Sequence, residues 1–130
     1  MITIIPHSLA ATSQVLTANI EQKLCKPFCT TTALQPTVDV TYTVEETNLV
    51  GTELYVKVKA QGTIFYVTKI GCTRTVPFAE HFTTSFAGAD PTSTVAIVQS
   101  APLVKPAFLG CCNIANGVSA LNILTLTFTA

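Results

Sequence analysis

The sequence predicts an all-β chain: an antiparallel β-sandwich or flattened, jelly-roll-like barrel of about seven to eight strands, preceded by an extended N-terminal arm. Three observations carry this. β-branched and aromatic residues (Thr, Val, Ile, Tyr, Phe), which suit a pleated sheet, dominate the chain. Several segments alternate apolar and polar residues with period two, the mark of a strand with one buried face. Glycine and Asn punctuate these segments at intervals suited to short hairpin turns.

The clearest strand is TVDVTYTVEE, where Val38, Val40, Tyr42 and Val44 face one way and Asp39, Thr41, Thr43 and Glu45 the other. In TELYVKVKAQG, Leu54, Val56, Val58 and Ala60 oppose Glu53, Tyr55, Lys57 and Lys59. Asn48 and Gly51 predict a turn between them, and Gln61-Gly62 a second turn leading into TIFYVTK. Further strands are predicted at CTRTVPF, HFTTSF, STVAIVQSAPLV and ALNILTLTFT. Residues 36–130 thus form the β body.

Residues 1–35 divide from that body as an arm or connector. They carry no charge before Glu21 and end in the Pro-containing KLCKPFCTTTALQP. In TSQVLTANIEQKL, Val15, Ile20 and Leu24 fall only loosely at helical spacing. Two readings of the arm stand: an apolar segment lying across a neighbouring subunit's sheet edge, or the first strand or two of the same sandwich.

A chain of 130 residues that is 48% hydrophobic and 11% charged has the size of one domain and about half the usual share of charge. Seven basic and seven acidic residues cancel. This argues against binding to nucleic acid or an anionic membrane, which calls for clustered Lys and Arg. It also removes the self-repulsion that keeps proteins apart, so association with copies of itself is expected. No apolar run reaches the length of a membrane-spanning helix. The opening MITIIPHSLAATSQVL lacks a basic n-region and is broken by Pro6, His7 and Ser8, so it reads as mature protein made in the cytoplasm without a signal peptide.

No catalytic constellation is found, and the chain reads as a non-enzyme without cofactor. His7 and His81 have no nucleophile at a fitting spacing. Glu80 and His81, adjacent on a strand, point to opposite faces, and Glu45-Glu46 reads as a solvated edge. The six glycines form no phosphate-cradling loop.

The five cysteines hold the remaining chemistry. Cys25 and Cys29 form a C-x3-C pair at the end of the arm, and Cys111 and Cys112 are adjacent in GCCN. Neither the spacing of zinc ligands nor the C-x-x-C of a thioredoxin-type site is met, so no metal is assigned. Neighbouring cysteines rarely bond each other without backbone strain. Cys25, Cys29, Cys111 and Cys112 are therefore candidates for disulfides between subunits, arm to body. Cys72 reads as a buried core residue or an unpaired thiol.

The run VDVTYTVEETNLVGTELYVKVKAQGTIFYV, followed by RTVPFAEHF and a closing NILTLTFT, resembles the SPOCS domain of endospore-forming bacteria. The matching positions are Val56, Val58, Gly62, Tyr66, Val67, Val76, Pro77 and Phe78. The resemblance covers about residues 38–130 and implies a β-rich, non-catalytic module of the spore coat or exosporium. The CC pair, the cysteine-bearing arm and the single short domain depart from that pattern. By architecture the chain is also similar to the subunits of bacterial endospore appendages, small β-sandwich proteins joined by disulfides. The resemblance implies production in the mother cell, oxidation after lysis, and assembly with itself or with other coat and exosporium proteins. A phage or virion surface protein is a variant of the same structural class. The alternative class is a soluble β-sandwich that docks a coat protein or carbohydrate through aromatics such as Tyr55 or Phe82.

Overall fold

A computed structural model describes residues 1–24, 36–67, 71–107 and 117–129. Its eight strands are β1 (Ile2–Leu9), β2 (Ser13–Lys23), β3 (Thr37–Val50), β4 (Glu53–Val67), β5 (Thr73–Phe86), β6 (Thr94–Gln99), β7 (Leu103–Ala107) and β8 (Gly117–Thr129). All pairings are antiparallel. Five strands form one sheet, ordered β1-β2-β8-β6 with β7 also on β8, and β3-β4-β5 form the other. Of the two expected architectures, the sandwich is the one formed.

The alternation in the sequence becomes the core. Val56 and Val58 of β4, and Leu124 and Leu126 of β8, are fully buried between the sheets. Apolar burial of this kind is the main force holding the two layers together. Phe86 stacks on Phe128, with ring centroids 5.2 Å apart and planes within 10°, and so ties the ends of β5 and β8. Gln14, also buried, bridges the layers beside them. Its Nε2 donates to the Ser85 carbonyl at 2.7 Å, and its Oε1 accepts from the Thr84 hydroxyl at 2.6 Å. Those two bonds allow an amide to sit in an apolar layer.

Residues 1–35 are not a separate arm over their described part. β2 lies between β1 and β8, and its Leu16, Ala18 and Ile20 are core residues. The N-terminal segment is thus the first two strands of the sandwich, paired within the same chain. The reason is the strict alternation from Gln14 to Ile20, which offers a buried face that an exposed arm could not keep out of water.

Three strand boundaries differ from the sequence reading. β4 runs unbroken through Gln61-Gly62, where a turn was expected. A Cβ at Gly62 would lie 1.9 Å from the Asp39 carbonyl oxygen, so glycine here permits close approach of β3 rather than a bend. CTRTVPF and HFTTSF join into the single strand β5, with Pro77 tolerated because β5 is a sheet edge. STVAIVQSAPLV splits into β6 and β7, which lie end to end along β8: β6 against Leu124–Thr129, β7 against Gly117–Leu121. Asn122 spans that break. Its Nδ2 donates to the Ser100 carbonyl at 2.8 Å, while the Ile123 N–H donates to the Ser100 hydroxyl at 2.8 Å.

Candidate functional site

The two outer faces of the sandwich differ in chemistry. The outer face of β3-β4-β5 is charged. A register shift between Val44 and Glu46 inserts Glu45 as an extra residue, so Glu45 and Glu46 both lie on this face. Glu45 Oε2 stands 2.9 Å from His81 Nε2 and 3.9 Å from Lys57 Nζ. The pairing of His81 crosses two strands, and no local spacing in the sequence reveals it. Glu80 does point the other way, and accepts from Gln22 Nε2 at 2.9 Å.

Beside this pair is a shallow groove of ≈ 160 Å³ lined by Glu46, Asn48, Tyr55, Lys57 and Thr83. Tyr55 is exposed, and its hydroxyl and that of Ser85 (3.4 and 2.8 Å) both donate to the Glu53 carboxylate. Phe82, expected as an exposed aromatic, is half-buried against the core because its position on β5 faces inward. The Glu45–His81 pair lies on an open sheet with both side chains about two-fifths exposed, where water screens any charge effect. Its chemistry is that of a solvent-exposed contact between an imidazole and a carboxylate.

The outer face of the five-stranded sheet carries no Asp, Glu, Lys or Arg along most of its length. Val15, Leu121, Ile123, Val98, Leu103 and Ile5 point outward among Thr17, Thr125 and Thr127. Ile123 is 52% exposed, Leu103 54% and Val98 67%. At the β1 margin His7 Nε2 is hydrogen-bonded to the Thr17 hydroxyl. Charge enters only near one end, at Glu21 and Lys23 on β2 and Lys105 on β7. Apolar and hydroxyl-bearing side chains thus alternate over most of this face.

Cys25, Cys29, Cys111 and Cys112 lie outside the described residues. The strands that flank them do fix where their segments leave the sandwich. Lys23 and Ala107 both pair with Gly117, and Val67 pairs with Thr73. The Gln14–Ser85 and Phe86–Phe128 contacts mark the opposite pole in both sheets. The strand ends preceding and following 25–35, 68–70 and 108–116 therefore share one pole. Cys72 is at that pole too, just before β5, and is exposed rather than buried in the core. Gly71 with φ 91° precedes it, so the chain is still turning and has not yet entered the layer between the sheets.

Among the described residues, no three His, Cys, Asp or Glu side chains converge as a metal site, and no helix is long and apolar enough to cross a membrane. No family model matches the chain, and neither a curated protein nor a solved structure matches it.

Proposed function

We propose that this chain is a non-catalytic structural subunit that assembles with copies of itself, as a fibre or lattice of the bacterial spore surface, and that disulfides lock the subunits. The observation that carries the reading is the outer face of the five-stranded sheet, which exposes Ile5, Val98, Leu103 and Ile123 and is uncharged except near one end, on a chain with no net charge. A lone soluble domain leaves such a face in water at a cost that burial against another subunit removes. Cys25, Cys29, Cys111 and Cys112 supply the covalent joint. The described strand ends that flank their segments share one pole, a different part of the sandwich from the apolar face, and two different contacts per subunit extend an assembly beyond a closed pair.

The spore-surface setting, with coat or exosporium proteins as neighbours and synthesis in the mother cell, rests on the resemblance at Val56, Val58, Gly62, Tyr66, Val67, Val76, Pro77 and Phe78. Val56, Val58, Tyr66 and Phe78 are buried, so the shared pattern describes how the β4-β5 hairpin packs.

Electron microscopy and sedimentation of the purified protein under oxidising conditions test the proposal, together with mass spectrometry of non-reduced peptides. Regular assemblies with interchain disulfides are expected. A monomer that persists at high concentration, or thiols found only free or bonded within one chain, would overturn it.

The groove beside Tyr55 favours a second reading, a module that docks a coat protein or a carbohydrate. An exposed aromatic ring flanked by Glu46, Asn48 and Lys57 offers a stacking platform with polar groups at its rim. Glycan-array binding that Tyr55→Ala abolishes would decide for this reading.

A further inference from the structure

The outer positions of the five-stranded sheet are arranged symmetrically about β8. Glu21 on β2 and Lys105 on β7 lie on opposite sides of the same β8 residue, Ser119. Val15 on β2 and Val98 on β6 likewise flank Thr125. Each pair is separated by two strand spacings, about 10 Å. Glu21 is held on the outer face by a chain of hydrogen bonds: the Ser119 hydroxyl donates to Asn19 Oδ1 at 2.7 Å, and Asn19 Nδ2 donates to Glu21 Oε1 at 3.3 Å.

A two-fold axis running along β8, between two sheets packed face to face, exchanges the two sides of β8. The β2 side of one copy then covers the β6/β7 side of the other. We propose that this face is an isologous interface with a second copy of the chain, in which Glu21 of each copy meets Lys105 of its partner and Val15 meets Val98. Leu121 and Ile123, on β8 itself, meet their own counterparts at the axis. The charge pattern favours this occupant. The face carries Glu21, Lys23 and Lys105; Glu21 and Lys105 stand at mirror positions, while Lys23 pairs with Gly117, whose other neighbour is the uncharged Ala107. A partner with an acidic and a basic residue in the reverse order matches the Glu21 and Lys105 positions together. A copy of the chain turned about β8 has that order, and between Glu21 and the far end of β2 the facing rows are uncharged on both sides, apolar or hydroxylic apart from the Asn19 amide.

This inference deepens the self-assembly reading and rests on it. It is tested on the whole chain by sedimentation equilibrium in reducing buffer, where disulfides make no contribution. The wild type is expected to dimerise reversibly. Glu21→Lys alone, or Lys105→Glu alone, sets like charges opposite each other and is expected to raise the dissociation constant about tenfold or more. The double exchange, Glu21→Lys with Lys105→Glu, restores the pairing and the affinity. Ile123→Lys, which places two lysines together at the axis, abolishes the dimer, and circular dichroism on each variant verifies that it is folded.

Single reversals without effect, or a double exchange no tighter than the weaker single variant, overturn the interface. So does a wild type that stays monomeric in reducing buffer, including one that instead binds vesicles of neutral phosphatidylcholine through Ile123. If that monomer still forms disulfide-linked assemblies on oxidation, this face fails as an interface while self-assembly stands. If it stays monomeric in both conditions, both fail.

Discussion

The side-chain amide of Gln99, on β6, pairs with the backbone around Tyr42, on β3, as another strand would. Its Oε1 accepts from the Tyr42 N–H at 2.8 Å, and its Nε2 donates to the Val40 carbonyl at 2.8 Å. β3 and β6 belong to different sheets, so this one side chain covers part of an open edge and fastens the two layers at a corner. Open edges invite pairing with other chains, and the other edge strands β1, β5 and β7 each contain a proline (Pro6, Pro77 and Pro106).

Gln99→Leu keeps the bulk and deletes both bonds, leaving a backbone donor and an acceptor unpaired. The expected loss is about 2 to 3 kcal/mol in urea unfolding. Gln99→Glu keeps the acceptor alone and should fall between. A Gln99→Leu protein as stable as wild type would show that water replaces the amide.

Tyr42 is itself buried, with its hydroxyl unpaired among the described residues, and burial pushes its pKa up to about 12 from 10.0. The neutral form is the one that folds. The contribution is therefore complete below pH 10 and is lost as pH rises through the interval up to about 12, because the unfolded chain ionises first. Two pKa units correspond to about 2 to 3 kcal/mol. Tyr42→Phe should match or exceed the wild type by about 1 kcal/mol near neutrality. Its advantage should widen above pH 10, read as the difference between the two unfolding curves so that other titrating groups cancel. A constant difference across that range would contradict the assignment.

Gly62→Ala forces a methyl group against the Asp39 carbonyl, and backbone on both sides must move. A loss of about 3 kcal/mol or more is expected, against under about 0.5 for the neighbouring exposed Gln61→Ala. Equal effects at the two positions would remove the close approach as the reason for glycine.

The Glu45–His81 pair should matter little to stability. Both side chains are partly solvated, so His81→Ala is expected to change the unfolding free energy by less than about 1 kcal/mol at low salt and by less still at high salt. A larger loss would mean that the bulged end of β3 depends on this contact.

Much of the fold is legible because period-two patterning forces a choice of face. Once Val38, Val40 and Tyr42 share a face, a single-residue slip would expose all three. The same rule holds as far as Glu45 and fails at Glu46, where the bulge adds a residue and brings Glu46 onto the outer face beside Glu45. It also could not place Gly62 or the break at Ser100. A glycine inside a strand and a glycine at a turn look alike without the partner strand, and the break is held by Asn122 from a distant part of the chain. The candidate surface was legible in kind, as scarcity of charge, but not in place. Whether Val15, Val98 and Ile123 gather on one surface depends on β2, β6 and β8 lying side by side.

By itself, then, the sequence determined that the chain is β, which residues of β3 and β4 from Val38 to Val44 and from Leu54 to Ala60 face inward, and that its charges balance. Those are properties of neighbours along the chain, set by side-chain alternation and composition. The tertiary structure alone decided that residues 2–23 complete the larger sheet, and that Glu21 and Lys105 stand at mirror positions about β8. Strand order and register arise from pairing between distant segments, whose energies depend on the complementarity of whole faces and leave no local trace in the sequence.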